Sequence, residues 1–435
     1  MMNKRITKAL ANIGIEQLNE MQRAVIDAGT SRDLVLLSPT GSGKTLAFLL
    51  PLLDTFSGED RKTEALIIAP SRELALQIEN VFRSFGSGFR ALCCYGGHPV
   101  RTETKSLEHP PTLLIGTPGR ILDHIGRGSI QTDNIHTLIL DEFDKSLELG
   151  FQEEMEDIIT HLPNLSRRVL TSATASIDIP RFTNVTKPIR LNFLSEVKTN
   201  KGLTINTVLS PSKDKLDTLY RLLGELKGAS ALVFCNYRES VDRVSDYLSE
   251  MGVDNECFHG GMEQIDRERA LSMFRGGSAS IFISTDLAAR GLDIPEVKNV
   301  IHYHLPVNEE AYTHRNGRTA RMFAEGKAFL ILNESENVPE YIKREPEKFY
   351  LPTEVKQPQK SEWATLTINK GKRDKLSKKD IVGFLYQKGC LEKEDLGIVE
   401  VKESNSFAAI KRTKIKSLLT TISQQKIKNM KAKFY

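Results

Sequence analysis

The sequence has few cysteines, a single tryptophan and no long apolar run. Its five cysteines are scattered over 435 residues without CxxC spacing. They therefore predict neither a disulfide framework nor a zinc site, and they favour a reduced compartment. No apolar run approaches the roughly 20 residues that a membrane-spanning helix needs, and the opening MMNKRITKAL has no apolar signal core. We therefore expect a cytoplasmic monomer with no membrane partner and no disulfide partner.

Charge is unevenly distributed along the chain. The formal net charge is only +4, but residues 361–435 contain 17 Lys and Arg against 8 Asp and Glu, a net of +9. The preceding 360 residues therefore carry a net of −5. A basic tail on a mildly acidic body predicts a polyanionic partner for the tail, with nucleic acid first. The alternative is a basic domain that is merely well solvated.

The segment Ser38–Thr45, SPTGSGKT, follows an apolar run at 33–37 and precedes the helix-like LAFLLPLL. A glycine-bearing turn between a strand and a helix presents backbone N–H groups to an anion. Lys44 is then placed to reach the outer phosphates and Thr45 to hold Mg²⁺. Ser38 stands where the generic motif has glycine. The pattern predicts a nucleotide-phosphate site, and the alternative is a tight turn with an incidental lysine.

Short apolar runs alternate with helix-like segments across most of the chain. ALIIAP, ALCCY, TLLIGTP, TLILDE and RVLTSAT form one set, and ALVFCN, ECFHGG, ASIFISTD, VIHYHLP and KAFLIL form a second. The alternation predicts two parallel sheets with crossover helices, joined by a connector at 195–212. In such sheets ligands lie beyond the carboxyl ends of the strands, and the polar motifs of this sequence follow the apolar runs.

The last 73 residues predict the order βαββαβ, a ferredoxin-like plan that is also the plan of the common RNA-binding sheet domain. Aromatic residues for base stacking are sparse in its strands, with only Phe407 in SFAAI. Phosphate and shape contacts are therefore expected to dominate RNA binding by the tail. The predicted domains are a first lobe at 1–198, a second lobe at 208–340, a linker at 341–362 and the tail domain at 363–435.

Two further clusters carry chemistry. Asp141 and Glu142 end an apolar run, so that one carboxylate can hold Mg²⁺ and the other can orient or deprotonate an attacking water. Arginines spaced by three share a helical face and could clamp phosphate oxygens, unless they form a solvated basic turn. The cationic cluster in YTHRNGRTAR contains His314, Arg315, Arg318 and Arg321.

Eight motifs now stand in one order: SPTGSGKT, PSRELA, GG at 96–97, TPGR, DEFD, SAT, ISTDLAARGLD and HRNGRTAR. Over about residues 12–335 this set resembles the DEAD-box ATP-dependent RNA helicase family. The tail resembles the RNA-binding domain of the DbpA-like subgroup, whose members recognise structured large-subunit ribosomal RNA. The resemblance implies an α/β fold with two RecA-like parallel-sheet lobes in tandem, ATP between them, and a small α+β ferredoxin-like (RRM-type) C-terminal domain. It implies an RNA-stimulated ATPase that unwinds short duplexes in ribosome assembly.

The same resemblance implies roles for individual residues. Catalysis would fall to Lys44, Asp141, Glu142, and the arginine fingers Arg318 and Arg321. ATP would be bound by Gln22, Thr40, Gly41, Ser42, Gly43, Lys44, Thr45, Gly291, Asp293, Arg318 and Arg321, with Mg²⁺ held by Thr45 and Asp141. RNA would be bound by Arg72, Gly97, Thr117, Gly119, Arg120, Gln264, Arg267 and Thr285 in the body, and by Lys372, Arg373, Lys375, Lys411, Arg412 and Lys414 in the tail. Ser172 and Thr174 would couple hydrolysis to unwinding.

The sequence departs from the family pattern at two motifs. Phe143 stands where the family has alanine, which predicts altered packing beside intact catalytic carboxylates. LNEMQ lacks the Pro-Thr that the family has ahead of the final pair, and residues 1–14 contain no aromatic residue to stack on adenine. Three other functions remain open: a DNA translocase, a general RNA helicase in mRNA decay or cold adaptation, and an ATP-gated RNA clamp without turnover.

Overall fold

The computed structural model describes residues 3–39, 41–59, 61–174, 179–194, 202–289, 294, 297–319 and 325–435. Four of the predicted site residues lie outside the described residues, namely Thr40, Gly291, Asp293 and Arg321. The chain divides into two compact units, one N-terminal and one C-terminal. Within the described ranges, no helix is both long and apolar enough to cross a membrane.

The first unit alternates short apolar strands with helices. Its central strands are buried along their whole length, as is typical of Val-, Ile- and Leu-rich parallel strands that helices cover on both faces. The helices are α1 Lys4–Asn12, α2 Glu20–Asp27, α3 Lys44–Thr55, α4 Arg72–Ser84, α5 Val100–Leu107, α6 Pro118–Gly126, α7 Phe143–Glu148 and α8 Gln152–Thr160. The strands are β1 Leu34–Leu37, β2 Ala65–Ile68, β3 Ala91–Cys94, β4 Leu113–Gly116, β5 Thr137–Leu140, β6 Arg167–Ser172 and β7 Ile189–Asn192.

Among the described residues of this unit, seven strands pair in parallel in the order β3-β4-β2-β5-β6-β1-β7. The register aligns Leu34 with Val169 and Leu37 with Ser172. Because the strands run the same way, the loops that follow them emerge at one edge of the sheet. The strand order places the loops after β5, β6 and β1 together, and the loops after β2, β4 and β3 together beside them.

The second unit repeats this plan and adds the tail. Its helices are α9 Leu216–Glu225, α10 Arg238–Glu250, α11 Gln264–Arg275, α12 Asp286–Ala289, α13 Glu309–Asn316, α14 Lys378–Gln387 and α15 Arg412–Ile422. Its strands are β8 Leu203–Ser210, β9 Ala231–Cys235, β10 Asn255–Phe258, β11 Ile281–Thr285, β12 Asn299–His302, β13 Gly326–Asn333, β14 Glu347–Lys348, β15 Trp363–Ile368, β16 Leu396–Val401, β17 Ser406–Lys411, β18 Lys426–Ile427 and β19 Met430–Lys431. A parallel sheet in the order β10-β11-β9-β12-β13-β8-β14 is formed by the described strands.

The prediction of a connector at 195–212 is wrong for most of the described residues in that range, 202–212. Residues 203–210 form β8, which pairs with β13 at every position from Leu203 with Gly326 to Ser210 with Asn333. Leu203 and Ile205 are buried on one face of this strand, and Val208 is buried on the other. Because the strand is covered on both faces, its apolar and polar residues do not alternate, and the segment lacks the pattern of a half-buried strand.

The predicted linker at 341–362 also contains structure. Its residues 347–348 form β14, which pairs with β8, and the Phe349 N–H donates to the Thr207 carbonyl at 2.8 Å. Further along, a Cβ added to Gly224 of α9 would lie 2.0 Å from the Lys356 carbonyl oxygen. The return segment, residues 347–356, therefore pairs with the edge of the second sheet and packs against α9 before the chain enters the tail.

The tail has a small antiparallel sheet. In its described residues, three strands pair in the order β15-β17-β16, and Phe434 near the chain end forms a bridge to Ile368 of β15. Leu366, Ala408 and Ile410 lie in a core with the residues of α14 and α15. The structure confirms the predicted α/β fold of two parallel sheets in tandem followed by a small domain with an antiparallel sheet.

The other face of the tail sheet packs against the second parallel-sheet domain. The hydroxyl groups of Ser278 and Thr365 lie 2.5 Å apart, and the Ser272 hydroxyl donates to Glu400 at 2.6 Å. Phe407, which is adjacent to Glu400 across the β16–β17 ladder, is only 4% exposed. Phe407, the aromatic residue that the sequence analysis considered for base stacking, is therefore covered.

Two helix glycines provide a matched test of the return segment. Gly224 would meet the Lys356 carbonyl if it carried a Cβ, whereas Gly383 in α14 has nothing within 4 Å. We expect Gly224→Ala to lower the free energy of unfolding by about 1–3 kcal/mol through overpacking. Gly383→Ala should raise it by roughly 0.5–1 kcal/mol, because alanine is the better helix former. Urea titration of both variants measures these changes, and a stabilised Gly224→Ala would contradict the packing described.

Candidate functional site

The loop between β1 and α3 is shaped by two glycines. Gly41 and Gly43 have φ angles of 81° and 90°, in the left-handed region that favours glycine. A Cβ on Gly43 would also lie 2.6 Å from Nε2 of Gln22, so the close approach of that side chain requires glycine. The first N–H groups of α3 have no partner within the helix. The loop and the start of α3 can therefore bind an anion.

Lys44, the first residue of α3, is buried. Its Nζ donates to the Ser38 carbonyl at 2.8 Å. The Ser38 hydroxyl in turn lies 3.0 Å from the Ser42 hydroxyl. Ser38 thus ties the two ends of the loop together, which gives a physical reason for serine where the generic motif has glycine.

Gln22 helps to hold this loop in place. Asn19 and Gln22 form a reciprocal capping box at the start of α2, in which the Gln22 side-chain oxygen accepts from the Asn19 N–H at 3.0 Å. The Asn19 side chain donates to the Ser42 carbonyl at 2.9 Å, and that of Gln22 donates to the Gly43 carbonyl at 3.4 Å. The structure places Gln22 against the phosphate loop. That Gln22 recognises adenine stays a prediction.

Asp141 lies directly after β5 and is 3% exposed. The Thr171 hydroxyl, on the neighbouring strand β6, donates to its Oδ1 at 2.5 Å. Burial raises the pKa of Asp141, and the Thr171 hydrogen bond and the Lys44 cation only partly offset this. An ionised Asp141 therefore depends on these neighbours and on any cation bound beside them.

Glu142 has a φ of 47°, which is unusual for a residue other than glycine. Its backbone N–H donates to the same Thr171 hydroxyl at 3.1 Å. Thr171 therefore fixes both members of the acidic pair. The sequence analysis missed it, although a threonine just before Ser172 on the strand beside β5 was a usable signal.

The Ser172 and Thr174 side chains contact each other, and Thr174 also contacts Asp144 at the start of α7. The Ser172 hydroxyl accepts from the Thr174 N–H at 2.9 Å, and the Thr174 hydroxyl donates to Asp144 at 3.4 Å. Phe143 points into the core and lies 6.4 Å from the Phe182 ring, centroid to centroid. The aromatic residue that replaces the family's alanine is thus accommodated among apolar side chains.

A second group of predicted residues lies beyond β2, β3 and β4. Arg72 begins α4, and its guanidinium lies so near Gly97 that a Cβ there would be 2.4 Å from Nη1. Thr117 is the residue just before α6, and Arg120 in the first turn of that helix donates to the His98 carbonyl at 3.1 Å. The structure therefore gathers the predicted RNA residues of this unit, with two helix N-termini that suit phosphate groups: Arg72, Gly97, Thr117, Gly119 and Arg120.

In the second unit the predicted RNA residues also lie after strands. Gln264 begins α11, and one turn later the Arg267 guanidinium stacks 4.8 Å from the centre of the Phe258 ring. Thr285 is the last residue of β11. All three positions therefore lie at the carboxyl edge of the second sheet.

The described basic residues of YTHRNGRTAR do not form one exposed cluster. Arg315 is 1% exposed and forms a bidentate pair with Asp286, both N–O distances being 2.6 Å. It also donates to Asn236 at 2.7 Å and to the His304 carbonyl at 2.6 Å. Arg315 of α13 therefore joins α12 to the segments after β9 and β12 and is not part of a solvated basic turn. Arg318 is buried as well, and its predicted finger role stays a prediction.

The predicted tail residues have two kinds of environment. Lys372, Arg373 and Lys375 are exposed in the turn before α14. Arg412 instead donates to Asp254 of the second lobe at 2.7 Å. Lys411 and the exposed Lys414 each lie 3.7 Å from buried Asp395. Lys372, Arg373 and Lys375 therefore form an exposed basic turn, and Arg412 anchors the tail.

A phosphate-binding loop beside a buried acidic pair is the arrangement of a nucleotide-hydrolysing enzyme. The DEAD/DEAH box helicase family matches residues 19–182, and the helicase conserved C-terminal domain matches 214–323. The DbpA RNA binding domain matches residues 365–434. The chain belongs to the DEAD-box ATP-dependent RNA helicases, and within them it is DbpA-like.

Known proteins resemble the chain over most of its length. The ATP-dependent RNA helicase DbpA of Bacillus subtilis is 31% identical over 461 residues, covering 98% of this chain and 96% of that protein. The DEAD-box ATP-dependent RNA helicase CshA of the same species is 33% identical over 358 residues, covering 80% and 72%. The solved structure of S. cerevisiae Dbp5 bound to RNA and ADP BeF3 is similar with a TM-score of 0.71 and 25% identity, covering 80% of this chain and 94% of that one.

Substitutions can distinguish the role of the phosphate loop in ATP binding from the role of the acidic pair in turnover. Lys44→Ala removes the cation that contacts the loop, so we expect weaker ATP binding. Glu142→Gln should leave ATP binding intact and reduce turnover by about 10²-fold or more, because it removes the predicted general base. Binding of a fluorescent ATP analogue and phosphate release measure the two effects, with exposed Glu153→Gln as a control. Equal losses of ATP affinity in both variants would contradict this division.

Proposed function

We propose that this helicase is directed by its tail to structured ribosomal RNA, in the assembly of the large ribosomal subunit. The match to the DbpA RNA binding domain at 365–434 supports this, together with the likeness to a named DbpA over nearly the whole chain. The tail's net charge of +9 favours a polyanion. We further propose that the protein acts as a monomer in the cytoplasm, where its unpaired cysteines would stay reduced.

The observation that carries the proposal is the orientation of the tail. Its sheet face is covered through Thr365 and Glu400, so splayed bases cannot stack there. The exposed basic turn of Lys372, Arg373 and Lys375 remains available to phosphates. Contacts of this kind read the shape of a folded RNA rather than a single-stranded sequence.

The residues of the first unit fit ATP with Mg²⁺. Gly43 leaves a cradle that a Cβ would fill, and Lys44 supplies a cation beside it. The Thr45 hydroxyl and the Asp141 carboxylate are hard oxygen donors of the kind that Mg²⁺ prefers. They would hold the ion, which neutralises phosphate charge when bound. Glu142 would accept the proton of the attacking water, with Thr171 fixing its backbone.

We also propose that Ser172 and Thr174 couple hydrolysis to unwinding. Their hydroxyls contact each other, and Thr174 contacts Asp144 two residues after Glu142. A movement of the segment from Asp141 to Asp144 would therefore be transmitted by a hydrogen bond to the segment after β6.

Neutralising the exposed basic turn tests the tail's role. The triple variant Lys372→Gln, Arg373→Gln and Lys375→Gln should lose preference for ribosomal RNA and much of the salt dependence of binding. Its slope of log affinity against log salt should fall by about 2–3, since each phosphate contact contributes about 0.7–0.9. The measurement is RNA-stimulated ATPase with ribosomal and generic RNA at several salt concentrations.

The matched control removes the same number of positive charges from another part of the surface. Lys213, Lys343 and Lys348 are exposed in the second unit outside the tail domain, and their triple Gln variant should behave as wild type. If the control loses as much RNA preference as the tail variant, the tail does not select the RNA.

A further inference from the structure

Glu103, on α5, is a buried carboxylate that the sequence analysis did not single out. It is 4% exposed. Its Oε1 accepts from the Tyr95 backbone N–H at 2.8 Å and lies 2.9 Å from Nε2 of His98. Its Oε2 accepts from Arg120 Nη1 at 2.6 Å and lies 2.8 Å from Nε2 of His124. Both oxygens are therefore bound by two partners each.

Three of these four partners, Tyr95, His98 and Arg120, belong to or flank the segments predicted to bind the RNA backbone, and His124 lies one turn further along α6. Tyr95 and His98 flank the glycine pair at 96–97, and Arg120 ends the TPGR motif at the start of α6. Arg120 also donates to the His98 carbonyl at 3.1 Å. Glu103 thus joins the loop after β3 to the loop after β4.

The cluster is a network of hydrogen bonds and ion pairs rather than a metal site. Ligand atoms of Cys94, Glu103 and His124 lie within 4.8 Å of one another, but both Glu103 oxygens are already occupied by donors. Burial raises the pKa of the Cys94 thiol far above its usual range, which disfavours a thiolate ligand. For Glu103, burial is outweighed by the hydrogen bonds from His124 and His98, which lower its pKa to about 2. The carboxylate is therefore ionised at neutral pH.

A buried charge is stable only while its partners stay in place. Glu103 fixes the side chain of Arg120 in one orientation and holds the backbone at Tyr95 beside it. In the strand order β3-β4-β2-β5-β6-β1, two strands separate β3 and β4 from β6 and β1. A change at Glu103 therefore acts on the RNA-side loops before it reaches the ATP loop.

We propose that Glu103 is a positioning residue for RNA binding, which presents Arg120 and the glycine-pair loop to the RNA backbone as one rigid unit. The inference rests on the RNA roles proposed for these segments, and it adds a residue that does not itself contact RNA. It concerns RNA of any sequence, since backbone contacts position without specifying.

The test separates RNA binding from ATP binding. The variants are Glu103→Gln and Glu103→Asp, with Glu108→Gln as a control because Glu108 is an exposed glutamate at the end of the same helix. We expect Glu103→Gln to raise the poly(U) concentration for half-maximal ATPase by about tenfold or more, the loss expected for one charged hydrogen bond. Affinity for a fluorescent ATP analogue without RNA should change by less than about threefold. Glu108→Gln should match wild type.

A double-variant cycle with Arg120→Lys shows whether Glu103 acts through Arg120. If it does, adding Glu103→Gln to Arg120→Lys changes RNA affinity little further. Additive losses, an unchanged RNA requirement, or an equal loss of ATP affinity would each overturn the proposal. If Glu103→Gln does not fold, Glu103→Asp keeps the charge with a shorter reach, and the same outcomes apply to it. Wild-type stimulation by poly(U) with no preference for ribosomal RNA would reject the proposed targeting alone and leave this inference standing.

Discussion

All strands of each parallel sheet run the same way, and this constraint places the loops that follow them at one edge. In the first unit the order β5-β6-β1 brings Asp141, Thr171 and the phosphate loop together. The neighbouring order β3-β4-β2 brings Arg72, Gly97 and Arg120 together. The residues predicted to bind the nucleotide and those predicted to bind RNA are thus adjacent but distinct groups, each assembled from segments far apart in sequence.

Buried polar side chains hold these loops in place. A charged group away from water is costly unless donors or an opposite charge surround it. Asp141 is bound by Thr171, and buried Arg315 is paired with Asp286 and two further loops. Because each of these contacts joins segments from different strands, shifting one loop would leave a buried charge without its partner. The rigidity of the site follows from that cost.

The sequence predicted the apolar strands and the glycine turns well, because those signals are local. Gly43 requires glycine for its own φ angle, and the acidic pair follows an apolar run that is readable in one dimension. Thr171, Glu103 and Asp286 were missed because their importance lies in partners 29 or 30 residues away or in other loops. The strand β8 was missed because it is buried on both faces and its polar and apolar residues do not alternate, so it lacks the pattern of a half-buried strand. The covered face of the tail sheet depends on packing between domains, which strand patterns do not reveal.

The most direct test of the account is phosphate release from ATP with RNA and with DNA of the same sequence. If, as we propose, the loops beyond β2, β3 and β4 and those of the second lobe bind an RNA backbone and ATP turnover depends on it, hydrolysis should be slow without nucleic acid. RNA should then stimulate it strongly, and DNA should stimulate it little. Equal stimulation by both, or hydrolysis that is independent of either, would contradict the proposal.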